Sequence, residues 1–214
     1  DELTQSLFLE MFGDPVTNPM GWERTKLGKV CRVQGGFSFK SKDFVTDGTK
    51  LVKIANVHFE NLNWSEVDHL PEEYLSKYSS FALKTGDILM ALTRPIIKSL
   101  GSVKAVTVQM NDLPALLNQR VGRFNPNTNK ITKSYLLRFI YSDYFKNKIE
   151  KYSSTSLQPN VSTKQIEDVD ILVPSLALQN QFTEYAQTIE EQKTIVQESQ
   201  KRSKELFNSL LQKA

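Results

Sequence analysis

Residues 166–214 read IEDVDILVPSLALQNQFTEYAQTIEEQKTIVQESQKRSKELFNSLLQKA, and this stretch decides the architecture. Up to Pro174 it has the apolar, β-branched character of a last strand (166–173). From Leu176 to Ala214 there is neither proline nor glycine. Phe182, Tyr185, Ile189, Gln192, Val196, Ser199, Ser203, Leu206 and Leu210 fall at alternating steps of three and four, the spacing of a heptad repeat. At about 1.5 Å per residue such a helix exceeds 50 Å, too long to stand without a partner. Ile189, Val196, Leu206 and Leu210 are its candidate apolar seam, and the polar or small Gln192, Ser199 and Ser203 would fix register at some cost in strength.

The other end of the chain echoes this one. Residues 2–11 (ELTQSLFLEM) and 205–214 (ELFNSLLQKA) agree at Glu2/Glu205, Leu3/Leu206, Ser6/Ser209 and Leu7/Leu210. A helix-like segment repeated at both edges of one globular region suggests a unit cut from a tandem array. The start at Asp1, without methionine, points the same way, to a trimmed chain or a fragment.

Between these ends the reading is α+β and strand-rich. Residues 3–12 form a short amphipathic helix, and GDP at 13–15 with Asn18-Pro19 and Gly21 makes a linker. Strands are predicted at 29–33, 37–40, 51–57, 88–92 and 103–108, and a strand pair or a strand bent at Gly122 over 115–124. Helices are predicted at 71–78 and 134–151, with a polar loop at 153–162. The expected organisation is a helix end and linker over 1–21, a globular domain over 22–174 and a long helix over 175–214.

Composition narrows the class. Of 214 residues, 39% are hydrophobic and 24% charged, as in an ordinary globular chain. No apolar run approaches the roughly 18 residues of a membrane span, and no leader pattern opens the chain. A single cysteine, Cys31, cannot form an internal disulfide, which fits a cytoplasmic protein. Net charge is only +3, but its distribution is uneven. Residues 88–142 carry Arg94, Lys98, Lys104, Arg120, Arg123, Lys130, Lys133 and Arg138 against the lone acid Asp112, while acids gather at 60–73 and in the C-terminal helix. Such segregation suits either a basic face for a polyanion or a solvated surface whose charges cancel in space.

Catalytic signatures are scarce. His58 and His69 have no metal-ligand spacing, and Glu66, Asp68 and His69 read as solvated surface. Cys31 reads as a small buried hydrophobe. Gly35-Gly36 reads as a turn, not a phosphate cradle, and there is no Walker loop.

Several segments, in order, resemble the specificity subunit of type I restriction–modification enzymes, and specifically one target-recognition domain with its following helix. They are LFLEMFGDPVTNPMGWERTKLGKV (7–30), FALKTGDILMA (81–91), PALLNQRVGRF (114–124), SSTSLQPNVSTKQIEDVDILVP (153–174) and the terminal LALQNQF…ELFNSLLQKA. The chain departs from that family at ALTRPIIKSLG (91–101), where a glycine-rich turn is common. The resemblance implies a fold like the recognition domain of adenine-N6 DNA methyltransferases, although the Asn/Asp-Pro-Pro-Tyr/Phe signature is absent. It implies a non-catalytic module that needs no cofactor and reads one half of a split duplex DNA site. Methyltransferase subunits, and through them a restriction subunit, would supply catalysis, and the helix would act as a ruler. The terminal repeat then becomes the end of one conserved helix and the same stretch of the next.

DNA contact calls for Lys and Arg against phosphates and for Arg, Asn, Gln or Ser at base edges. Four segments combine these: Lys40, Ser41 and Lys42 in loop 37–44; Arg94, Lys98 and Ser99 in loop 93–101; Gln119 and Arg120 beside Asn118; Gln158 and Asn160 in loop 155–164. Two alternatives remain at this level. One is a coiled-coil scaffold whose head binds protein. The other is the recognition end of a fused restriction–methylation enzyme. The unpaired heptad seam predicts self-association or pairing with a second half-subunit.

Overall fold

A computed structural model describes residues 2–153 and 159–211. In chain order its elements are α1 (Glu2–Phe12), β1 (Glu23–Lys26), β2 (Cys31–Gly35), β3 (Thr49–Val52), β4 (Asp68–Leu70), α2 (Glu73–Lys77), β5 (Ile88–Ala91), β6 (Ile96–Ile97), β7 (Ser102–Val103), β8 (Ala105–Thr107), β9 (Ala115–Leu117), β10 (Val121–Pro126), α3 (Lys133–Tyr141), α4 (Asp143–Ser153), α5 (Thr163–Glu167), β11 (Asp170–Val173) and α6 (Leu176–Leu211). This is the mixed, strand-rich architecture with a long terminal helix that the sequence predicts.

The central sheet has the order β2-β10-β5-β8, with every pairing antiparallel. β5 is the strand ILMA, buried at all four positions. A strand sends successive side chains to opposite faces, so Ile88 and Met90 enter one core and Leu89 and Ala91 another. The first core lies under α1, α3, α4, α5 and α6. There Phe8, Phe12, Tyr135 and Phe182 meet at ring separations of 4.7 to 5.9 Å. The second core is shared with the β4-β3-β9 sheet, in which β3 and β9 run parallel. Each large apolar side chain enclosed in this way contributes about 1.5–3 kcal/mol.

Gln179 sets the departure of α6. It is fully buried, its Oε1 accepts from the Thr132 N–H at 2.8 Å, and its Nε2 donates to the carbonyls of Lys130 and Pro174. Every hydrogen bond named there would be orphaned by an apolar residue. α6 is 36 residues, about 54 Å long. Its first turns join the core through Phe182, and residues 190–205 are exposed. Among the described residues no helix is long and apolar enough to cross a membrane.

Several predicted elements are cut shorter, each for a local reason. LVKIANV (51–57) stops being a strand at Val52. Buried Asn56 accepts from the Lys53 N–H and donates to the carbonyls of Asn63 and Glu66, folding the chain back on itself. The predicted strand 37–40 is a loop that touches Asn118 in one isolated bridge. The strand 103–108 divides at Lys104 into β7 and β8. The helix 134–151 breaks at Ser142, which has extended backbone; its hydroxyl donates to the Phe139 carbonyl and accepts from the Phe145 N–H. Residues 115–124 are a strand pair, but the turn is at 118–120, and β9 and β10 enter different sheets. Gly122 stays inside β10, where a Cβ would press on Leu92 and Val33. Finally, Ser162 and Gln165 form a capping box that makes 163–167 helical, so the last strand begins only at Asp170.

Candidate nucleic-acid interface

β10 runs antiparallel to both β2 and β5, with Gly122 opposite Gly35 and Val121 opposite Ala91. The chain therefore leaves β2, leaves β5 and enters β10 at the same end of the sheet. Three of the four predicted DNA-contact segments start there, and backbone bonds tie them together. Gly36 N–H donates to the Val121 carbonyl, and Phe37 N–H to that of Leu117. Leu92 N–H donates to the Arg120 carbonyl. The fourth segment is pulled in by Val161 N–H on the Leu92 carbonyl, Arg94 N–H on the Pro159 carbonyl at 2.7 Å, and an antiparallel bridge between Thr93 and Asn160. Loops far apart in sequence become one rim.

The side chains on this rim are open to solvent. Lys40, Ser41 and Lys42 are exposed on a single turn of 3-10 helix over Ser41–Asp43 and its leading residue. Arg94, Lys98 and Ser99 are exposed, and so are Gln119, Arg120 and Asn160. Gln158 lies outside the described residues. Arg94 adopts φ +49°, the left-handed region that disfavours a branched or bulky residue. With Pro95, Ile96, Lys98, Glu150, Ser153 and Pro159 it lines a cavity of about 360 Å³. Among the described residues, none of Lys40, Lys42, Arg94, Lys98 and Arg120 has an ion-pair partner. Exposed cations without carboxylate partners are available to phosphates.

The rest of the basic stretch does other work. Arg123 is held between Asp87, the carbonyls of Ala82 and Ser80, and Gln34, with only 11% of its side chain exposed. Lys133 donates to the Gly86 carbonyl at the opposite end of β5. Arg138 is buried; burial holds its pKa below the usual guanidinium value, with Glu60 opposing. The sequence could not separate these from Arg94, Lys98 and Arg120, because their partners are distant in the chain. One rim residue, Phe37, carries no charge and was not among the contact residues sought in the basic loops, whereas Asn118, named beside Gln119 and Arg120, lies on the rim as well. The Gly-Gly turn before Phe37 is the signal that could have marked it.

The other candidates are placed plainly. Asp68 pairs with Lys53, and His69 lies in β4 opposite Lys50. Among the described residues no three His, Cys, Asp or Glu side chains are grouped as metal ligands would be. Cys31 is 1% exposed, and burial pushes its thiol pKa up to about 12, a value at which it is no nucleophile. On α6, Ile189 is half-buried and Val196 exposed, and the side chains of Leu206 and Leu210 lie outside the described residues.

The chain is similar to known proteins along most of its length. Residues 19–204 match the family described as "Type I restriction modification DNA specificity domain". The type I restriction enzyme MjaVIII specificity subunit of Methanocaldococcus jannaschii is 37% identical over 197 residues, 90% of this chain and 46% of the relative. The type I restriction enzyme EcoAI specificity subunit of Escherichia coli is 35% identical over 153 residues, 72% of this chain and 26% of the relative. The fold is that of the HsdS subunit from Thermoanaerobacter tengcongensis, with a TM-score of 0.59 at 20% identity over 92% of this chain and 45% of that one. A chain from a type I restriction–modification system structure gives 0.62 at 19% identity, over 94% of this chain and 46% of that one. The chain thus spans less than half the length of the curated relatives it matches. By a family match across nearly its whole length and by the identity of these relatives, the chain belongs to the type I restriction–modification DNA specificity domain family.

Proposed function

We propose that this chain is a sequence-specific, non-catalytic DNA-recognition module of a type I restriction–modification system, working in the cytoplasm. Residues 22–174 read one half of a bipartite duplex site, residues 1–21 are the end of a preceding conserved helix with its linker, and residues 175–214 are the spacer helix. Methyltransferase subunits dock on the module and bring the chemistry, and the restriction subunit joins through them. The carrying observation is the rim at one end of the central sheet, where four loops meet and five exposed cations have no carboxylate partner among the described residues. A protein-binding scaffold would not need that arrangement.

Fluorescence anisotropy across a salt series tests it, with random duplex and an acidic protein as ligands. Duplex binding should weaken steeply with salt, and Arg94→Glu with Lys98→Glu should lower affinity and reduce the slope by about 2, one unit per lost phosphate contact. An unchanged slope, or equal preference for the acidic protein, rejects the assignment.

The outer part of α6 supports pairing with a second copy or second half-subunit. Ile195 and Val196 are 66% and 54% exposed on a helix that, among the described residues, is covered only in its inner turns. Val196 follows Ile189 by one heptad on the predicted seam of a two-helix contact, and Ile195 flanks that seam.

A further inference from the structure

Phe37 stands on the rim, 37% exposed, in the loop that carries Lys40 and Lys42 and bridged to Asn118, two residues before Arg120. Its mounting is rigid. The N–H of Phe37 is bonded to the Leu117 carbonyl, and the residue bridges to Asn118. Gly36 before it lies so close to the 118–120 turn that a Cβ would sit 2.2 Å from the Asn118 carbonyl oxygen. The ring rests on three others, Tyr78 at 4.7 Å, Phe39 at 4.9 Å and Phe81 at 5.5 Å. The ring is thus buttressed by three aromatic neighbours and still keeps 37% of the residue open to solvent, at the end of the sheet where the exposed cations are carried. An aromatic held this firmly cannot swing out as a wedge between stacked bases without leaving its three neighbours. It can meet an apolar group that comes to it. In the major groove, base edges present one such group, the 5-methyl of thymine.

We propose that Phe37 is a specificity-determining residue that contacts a thymine methyl in the major groove of the recognised half-site. This deepens the DNA-reading proposed above and rests on it. It requires at least one thymine, on either strand, in the half-site.

The test uses the full-length subunit assembled with its methyltransferase partners, on a half-site first mapped by methylation sequencing. Each thymine is replaced in turn by deoxyuridine, which removes the methyl and keeps the hydrogen-bond pattern. One replacement should weaken binding by the wild-type complex about fourfold, the effect of one lost apolar group. Phe37→Ala should erase that difference, and Phe37→Leu, which keeps an apolar surface and guards against loss of the fold, should retain part of it. A half-site without thymine, no deoxyuridine effect in the wild type, or the same effect in Phe37→Ala and Phe37→Leu as in the wild type overturns the proposal. If the Arg94→Glu, Lys98→Glu slope falls while no deoxyuridine effect is seen, only the Phe37 contact is rejected. If the assembled complex shows no salt-dependent duplex binding, both are rejected.

Discussion

Arg94 and Pro159, 65 positions apart in the chain, share a main-chain hydrogen bond of 2.7 Å, with Arg94 at φ +49°. The bond turns the arginine outward while its backbone stitches two loops together. Backbone and side chain can therefore be tested apart. Arg94→Gly accepts the left-handed conformation without steric cost, so the urea midpoint should hold or rise slightly. DNA affinity should still fall, because the cation is gone. Equal affinity by anisotropy would deny the side chain a phosphate contact.

Arg123 illustrates the opposite use of a cation. Its guanidinium joins Asp87, two carbonyls of the 80–82 segment and Gln34. Arg123→Met should destabilise the fold by about 3 kcal/mol, chiefly by leaving the enclosed Asp87 carboxylate unpaired. Urea denaturation checks this, and the salt slope of DNA binding should be unchanged.

Gly36→Ala should cost about 1–3 kcal/mol, because the added methyl and the Asn118 carbonyl cannot occupy their present positions together. The turn carrying Gln119 and Arg120 must shift to relieve the clash. Hydrogen exchange at 118–121 should quicken relative to β8.

Cys31 should ignore aromatic disulfide reagents at pH 8 until the protein is unfolded. Burial raises its thiol pKa to about 12, against about 8.5 in an unfolded chain. The folded state keeps a proton that the unfolded state releases. The stability held below about pH 8.5 is therefore lost as pH rises from there toward 12. Cys31→Val should flatten the onset of that decline between about pH 8.5 and 10, below the range where the buried tyrosines Tyr135 and Tyr141, also raised by burial, take over.

Ile195→Lys combined with Val196→Lys should abolish self-association or pairing in sedimentation. The unfolding midpoint of the globular part should stay, since neither side chain touches the core. Unaltered association would place the contact elsewhere.

The break at Pro174 was legible because proline, glycine and apolar spacing are local signals. The same holds for the short helix at 71–78 and the buried strand at 88–92, realised as α2 and β5. What escaped reading depends on long-range partners. Asn56 looks like one more member of an alternating strand until Asn63 and Glu66 return to receive its amide. Ser142 looks helical, yet its hydroxyl ends one helix and begins the next. The basic concentration over 88–142 was read correctly as a count. Only the fold separates Arg123, which meets Asp87 across the sheet, from Arg94 and Arg120 at its end.

β5 lends its two faces to two different cores. A hybrid built by transplanting residues 36–118 from a relative would import Leu89 and Ala91 with their own neighbours, but would set Ile88 and Met90 against a foreign helical layer. Grafts confined to the rim loops, or exchanges of the entire body together with the first turns of α6 through Ala186, leave that shared strand among its native companions. Those are the cuts at which new addresses could be installed without loosening the frame.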